Sequence, residues 1–171
     1  MGFDPSFRNW GVVIATYNTV TKETTPVTLI LLETPSKEKG IPSNEADYNR
    51  IKPLINSLLL LVKEHRPEFI IAEYPIGSQS ARAMYGYAVC LSMMGVINVG
   101  FGIPIYKVTP REVKVYATGN PEATKNDMIK WATDLHPTLN WPRHGKNITV
   151  TKAEHLADAL ASLYAGLAKH F

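Results

Sequence analysis

The feature that most constrains this chain is a four-residue run, Phe69-Ile70-Ile71-Ala72, in which every side chain is apolar and which stops at Glu73. A short apolar run without alternation marks a strand covered on both faces, since a half-exposed strand would alternate apolar and polar residues. Pro75, Gly77 and Ser78 close it. Cover on both faces requires helices, and the flanking segments supply them. Asn44 is placed to cap a helix running through Leu54, Leu58 and Leu61 toward His65, with Pro53 expected to bend or restart it. Ser80 to Met94 reads as a helix rich in small residues.

Upstream, Trp10 to Tyr17 and Val27 to Leu32 are β-branched apolar runs separated by a polar turn, the pattern of two antiparallel strands. Downstream, Ile103 to Val108 reads as another buried strand, Thr109-Pro110 as a helix start, and Lys125 to Leu135 as a further helix. His136 to Thr151, with Pro137, Pro142 and Gly145, reads as a mobile loop before a closing helix over Lys152 to Lys169. Antiparallel strands followed by alternating strands and helices indicate an α/β domain with a mixed sheet and helical cover. At 171 residues, one domain spanning 1–171 is expected.

Hydrophobic residues at 45% and charged residues at 19% exclude a wholly disordered chain. The longest unbroken aliphatic run, Leu58 to Val62, is far short of a membrane span, and Met1-Gly2-Phe3-Asp4 lacks the basic-then-apolar start of an export signal. Cys90 is the only cysteine, so a cysteine-rich metal site is excluded. These features lead to the expectation of a cytoplasmic protein with no membrane partner.

Net charge is only +3, but it is uneven. Residues 107 to 152 carry eight basic side chains against four acidic ones, which suits a phosphate-bearing partner and equally a solvated basic surface.

Three carboxylates stand out. Glu73 ends the buried strand, where a carboxylate loses hydration unless a cation or donor compensates, or else remains an exposed strand-end charge. Asp4 opens Asp-Pro-Ser, a pattern that also starts ordinary turns. Asp158 sits in the closing helix. There Leu156, Leu160, Leu163 and Leu167 form one face, and His155, Asp158 and Ser162 form a second among alanines. That second face is either an exposed polar stripe or a pair of groups projected into a shared site. Hard oxygen ligands with one imidazole favour Mg²⁺ or Mn²⁺ over zinc. Two such ions can hydrolyse a phosphodiester without a covalent nucleophile. Neither a Gly-x-Ser-x-Gly elbow nor a phosphate-binding Gly-x-x-x-x-Gly-Lys-[Ser/Thr] loop is present.

Taken in order, these segments resemble the RuvC-type Holliday junction resolvases of the ribonuclease-H-like superfamily, and the small phage members most closely. Phe3-Asp4-Pro5-Ser6 is similar to the family's first-strand Asp-Pro-Gly, with Ser6 in place of glycine. Ile70-Ile71-Ala72-Glu73 is similar to its catalytic glutamate strand. His155-Leu156-Ala157-Asp158-Ala159-Leu160-Ala161 is similar to its terminal Asp/His-x-x-Asp-Ala-Leu-Ala. Arg111-Glu112-Val113-Lys114, followed by Lys125, resembles the segment whose lysines contact DNA.

The resemblance implies a ribonuclease-H-like mixed five-stranded sheet flanked by helices. It implies a homodimer that nicks four-way DNA junctions with two Mg²⁺ ions, Mn²⁺ being able to substitute, leaving 5′-phosphate and 3′-hydroxyl ends. Asp4, Glu73, His155 and Asp158 would be the catalytic metal ligands, Glu154 could assist or replace His155, and Lys114, Lys125 and Arg111 would contact DNA. Ile76, or alternatively Tyr74, would be the wedge at the junction centre, and the helix from Ser80 would face the dimer partner. Two other readings stay open: a flap or fork nuclease of broader specificity, and a non-catalytic junction-binding module.

Overall fold

The computed structural model describes all residues, Met1–Phe171. Its centre is a five-stranded sheet of order β3-β2-β1-β4-β5, built from β1 (Gly2–Asp4), β2 (Asn9–Tyr17), β3 (Thr24–Glu33), β4 (Ile70–Glu73) and β5 (Ile105–Val108). β1 to β3 form the antiparallel set, while β4 runs parallel to both β1 and β5. The mixed sheet expected from sequence is therefore present, with a first strand of only three residues.

Period-two alternation divides the sheet's side chains between two cores. Phe3, Trp10, Val12, Ile70 and Ala72 pack beneath α1 (Ser43–His65) and α2 (Ala81–Phe101). Val13, Leu29, Ile71 and Val108 pack against α3 (Pro110–Thr118), α4 (Lys125–Leu135) and α5 (Val150–His170). β4 is thus covered on both sides, as its composition demands.

Where local chemistry is strong the expected helix ends hold. Thr109 caps α3 in a reciprocal box with Glu112, and Thr124 caps α4 in the same way with Asp127. Four expectations need correction. Asn44 is not a cap: the helix starts one residue earlier behind Pro42, and the Asn44 side chain accepts only from the adjacent Glu45 N–H. Pro53 lies inside a continuous α1.

The helix read from Ser80 runs on to Phe101: Gly95 and Gly100 lower its propensity without ending it, and it stops at Gly102 in the left-handed region. At 21 residues and a mean hydropathy of 1.4 over its most apolar window, α2 meets the length and composition of a membrane span, although glycines, serine and tyrosines interrupt its aliphatic residues. One side of it packs on the sheet through Cys90, Met93, Met94 and Ile97, while Val96 and Val99 are exposed.

The segment 136–151 is not a featureless loop. It holds a short hairpin, β6 (Arg143–His144) and β7 (Asn147–Ile148), over a fixed base. Trp141 is buried and its indole N–H donates to the His136 carbonyl at 2.8 Å. The Asn140 amide bonds both the N–H and the C=O of Leu29, at 2.9 and 2.8 Å.

A buried ion pair ties the two helices of the α1/α2 layer together. Asp47, 2% exposed, accepts from both terminal nitrogens of Arg82 and faces Arg50 at 3.6 Å. Arg50 also donates to the Pro35 carbonyl and the Thr34 hydroxyl. Because Arg82 is half exposed, the pair is worth less than a fully buried one, and Asp47→Ala should cost about 2 kcal/mol by urea denaturation. A loss below a few tenths of a kcal/mol would show that water replaces the carboxylate.

Candidate active site

The carboxyl ends of β1 and β4 lie side by side, because the parallel register pairs Phe3 with Ala72 and the next residues are Asp4 and Glu73. Both side chains share the face that meets α5. Ile71, two residues before Glu73, touches the Gly166 position, and Gly2, two before Asp4, lies against Ala159 and Leu163. Gly11, the antiparallel partner of Asp4, sits directly under the His155 carbonyl. The absence of side chains at Gly2, Gly11 and Gly166 lets α5 lie almost on the sheet, which brings His155 and Asp158 to the strand ends.

Asp4, Glu73, His155 and Asp158 consequently line a single open cavity of about 330 Å³, whose wall also includes Ser6, Ile76, Tyr87, Lys125 and Glu154. His155 Nδ1–H donates to Asp4 Oδ2 at 2.7 Å. On its other side, Nε2 lies 3.4 Å from the Asn9 amide and 3.6 Å from Glu154. Lys125 bonds Glu154 at 2.6 Å. No three ligating side chains stand close enough to make a finished cation cage. The acidic groups are neighbours in one cavity whose side chains would have to turn inward around an ion.

The electrostatics follow from this crowding. Burial, with the charges of Asp4 and Asp158 added, pushes Glu73 up to about 8, against a smaller opposing pull from Lys114. Burial and Asp4 push Asp158 up to about 7. Burial also raises Asp4, offset in part by its bond to His155. For His155, burial works against the imidazolium, yet the Asp4 hydrogen bond and the carboxylates around it outweigh burial and raise its pKa. Asp4 and His155 thus hold one shared proton tightly. The cavity carries more acid than its own cations neutralise.

The remaining candidates fall into distinct places. Lys114, on the second turn of α3, is half buried and near enough to act on Glu73 and Asp158, whereas Arg111 is exposed on the first turn, outside the cavity lining. Tyr74 faces away from Glu73 into the α1/α2 core; its N–H donates to Val108 and the Lys107 ammonium lies 4.8 Å from its ring. Ile76 is 83% exposed at the rim. Ser162, which shares a helix face with His155 and Asp158 by spacing, is fully buried away from the cavity. Sequence reasoning missed Asn9. A signal was available, since Asn9 is two residues before Gly11 and therefore shares the face turned to α5.

The sheet order, the two helical layers and the acidic cavity at the strand ends define a ribonuclease-H-like domain. By sequence the chain is similar to RuvC crossover junction endodeoxyribonucleases. It is 31% identical to RuvC of Salinispora arenicola over 117 residues, 68% of this chain and 64% of that protein. With RuvC of Salinibacter ruber it shares 31% over 81 residues, 46% and 44% of the two chains. The matches thus span less than two thirds of either relative. No family model matches the sequence.

Among solved structures, T. thermophilus RuvC in complex with a Holliday junction substrate superposes with a TM-score of 0.67 at 20% identity, covering 98% of this chain and 94% of that one. The yeast mitochondrial Holliday junction resolvase Ydc2 gives 0.65 at 16% identity, covering 97% and 76%. These likenesses establish the fold.

Proposed function

We propose that this protein is a divalent-metal-dependent endonuclease that resolves four-way DNA junctions as a homodimer. The observation that carries the reading is the convergence of Asp4, Glu73, His155 and Asp158, drawn from three elements, on one cavity with raised carboxyl pKa values. Carboxyls held protonated by burial, and further by one another's charge, are groups that gain from a cation. The donor set fits Mg²⁺ or Mn²⁺, being oxygen-rich with a single imidazole. Asp4, Glu73, His155 and Asp158 would hold two ions. When bound, these ions supply an activated water and stabilise the leaving 3′-oxygen.

The chain's own side chains do the rest. His155, held by Asp4, is fixed in orientation and keeps its Nε2 side toward Asn9 and Glu154. Lys114 and Lys125 offset part of the acid charge that would otherwise repel phosphate, and Lys125 can exchange Glu154 for a phosphate oxygen. Arg111 extends this basic flank. Of the two wedge candidates, Ile76 is the one presented to solvent at the rim, and Tyr74 is committed to packing. A second copy would cover the apolar groove between α1 and α2, about 330 Å³ and lined by Ile51, Ile55, Tyr85, Val89 and Val96.

The test is cleavage of a synthetic four-way junction by purified protein with Mg²⁺ or Mn²⁺, in competition with flap, fork and linear duplex DNA. Symmetric nicks in the junction are expected, and Asp4→Asn should bind it without cutting. Preference for flaps or forks would move the activity to a broader branched-DNA nuclease, while binding without metal-dependent cutting by the unsubstituted chain would leave a junction-binding module.

A further inference from the structure

The β6-β7 hairpin is a basic finger with a rigid stalk, and the acidic cavity does not use it. Between Asp134 and Glu154 the chain contains no carboxylate, yet it carries Arg143, Lys146 and Lys152. Arg143, His144, Gly145, Lys146 and Asn147 are all exposed. The turn is a two-residue one with Gly145 at its first central position, φ +61°, which suits a tight hairpin. Thr149 N–H closes the base by donating to the Pro142 carbonyl at 2.8 Å. Below it, buried Trp141 and the Asn140 clamp on β3 fix the stalk to the fold.

Charge state separates this finger from Lys125 and Lys152, the basic residues on either side of the N-terminus of α5. Lys125 is paired with Glu154 and Lys152 with Glu33. Arg143 has only the Lys146 carbonyl at 3.2 Å, and Lys146 has no acidic partner. Unpaired, exposed cations on a fixed backbone are suited to phosphate, since no ion pair has to be broken first.

Position supplies the second argument. The hairpin leads directly into α5, whose first three turns carry His155 and Asp158. Lys152 bonds Glu33, the register partner of Asn9, which itself touches His155. Seven helical residues rise about 10 Å, and the finger adds at most about 10 Å more. Its tip therefore lies within about 20 Å of the acidic cavity, or roughly six base-pair steps along a duplex. It stands on the β3 side, across the cavity from Ile76 and Arg111.

We infer that the Arg143-His144-Gly145-Lys146 finger grips the phosphate backbone of a duplex arm about half a helical turn from the bond to be cut. This rests on the nuclease reading and adds a hold beside Lys125 and away from Arg111 and Lys114. The finger meets phosphate, so it sets affinity and salt dependence rather than sequence preference.

The experiment measures junction affinity against salt for the unsubstituted protein, for Arg143→Ala/Lys146→Ala, and for a control, Lys63→Ala, on the far end of α1. The double substitution should weaken binding about tenfold near 0.1 M salt. It should also flatten the slope of log K against log[salt] by about 1.8, which is about 0.9 for each phosphate no longer neutralised. Cutting at saturating protein should be unchanged, Arg143→Lys/Lys146→Arg should restore the slope, and Lys63→Ala should leave it alone. An unaltered slope in the double variant, with normal junction binding and cutting by the unsubstituted protein, overturns the finger and leaves the nuclease reading standing. Failure of the unsubstituted protein to bind the junction overturns both.

Discussion

Glu73→Gln is expected to make the protein more stable in EDTA at neutral and alkaline pH, and to abolish junction cutting at the same time. Glu73 ionises in the folded state only near pH 8, against about 4.5 when unfolded, because the sheet buries it beside Asp4 and Asp158. A carboxyl whose folded pKa is raised binds its proton more tightly in the native state. The contribution of Glu73 to stability is therefore greatest below about pH 4.5, falls as pH rises through the window from about 4.5 to 8, and is lost above it. Gln carries no charge to bury.

The melting temperature of the variant should match that of the parent near pH 4.5 and exceed it progressively above. The gap should reach about 2 kcal/mol, or roughly 4–8 °C, once the cavity's access to water is discounted. Asp158→Asn should behave alike, with its window closing near pH 7. Mg²⁺ or Mn²⁺ should narrow the gap by stabilising the parent alone. Cleavage should drop by about 10³-fold or more. Coincident melting curves across this pH range, together with retained cutting, would remove the case for a cation-seeking acidic cluster.

Gly11→Ala should cost about 3 kcal/mol, or roughly 6–12 °C in melting temperature. A Cβ there would fall 2.1 Å from the His155 carbonyl oxygen and 2.7 Å from its carbon. Those atoms are backbone of α5 and cannot rotate aside, so the helix has to lift from β2. The same shift carries His155 and Asp158 away from Asp4, and a displacement near 1 Å is enough to lower cutting by about 10²-fold. Gly95→Ala on α2 is the control: nothing lies within 4 Å of its Cβ, and the change should stabilise by up to about 1 kcal/mol. Denaturant midpoints and cleavage rates, measured on the same preparations, check both. If Gly11→Ala retained full stability and rate, close approach of α5 would not be what builds the site.

Both predictions come from packing, while the fold itself was largely legible beforehand. The run Phe69 to Ala72, with no alternation, demanded two-sided cover, and α1/α2 and α3/α4/α5 provide it. The bounds of α4 were readable because Thr124, Lys125 and Asp127 write its start in local hydrogen bonds. Reading failed where local and tertiary signals diverged. Pro and Gly in 136–151 suggested an unstructured loop, yet Trp141 and Asn140, anchored to His136 and to Leu29, turn it into a supported hairpin. Asn44 resembled a cap by type, but the backbone had already entered the helix behind Pro42.

The sequence by itself determined which residues were available: three carboxylates and an imidazole at strand ends and on one helix face, in an order resembling the RuvC-type resolvases. Only the tertiary structure decided their state. Asp4 and His155 are 151 positions apart, and nothing local could say that they share a proton. Nor could it say that Lys125 is held by Glu154, that Asn9 completes the wall around His155, or that Glu73 keeps its proton to about pH 8. Helix caps and strand alternation are set by neighbours within a few residues. Charge states depend on burial and on groups brought together by the whole chain, and here that approach hangs on three glycines that let one helix rest against the sheet.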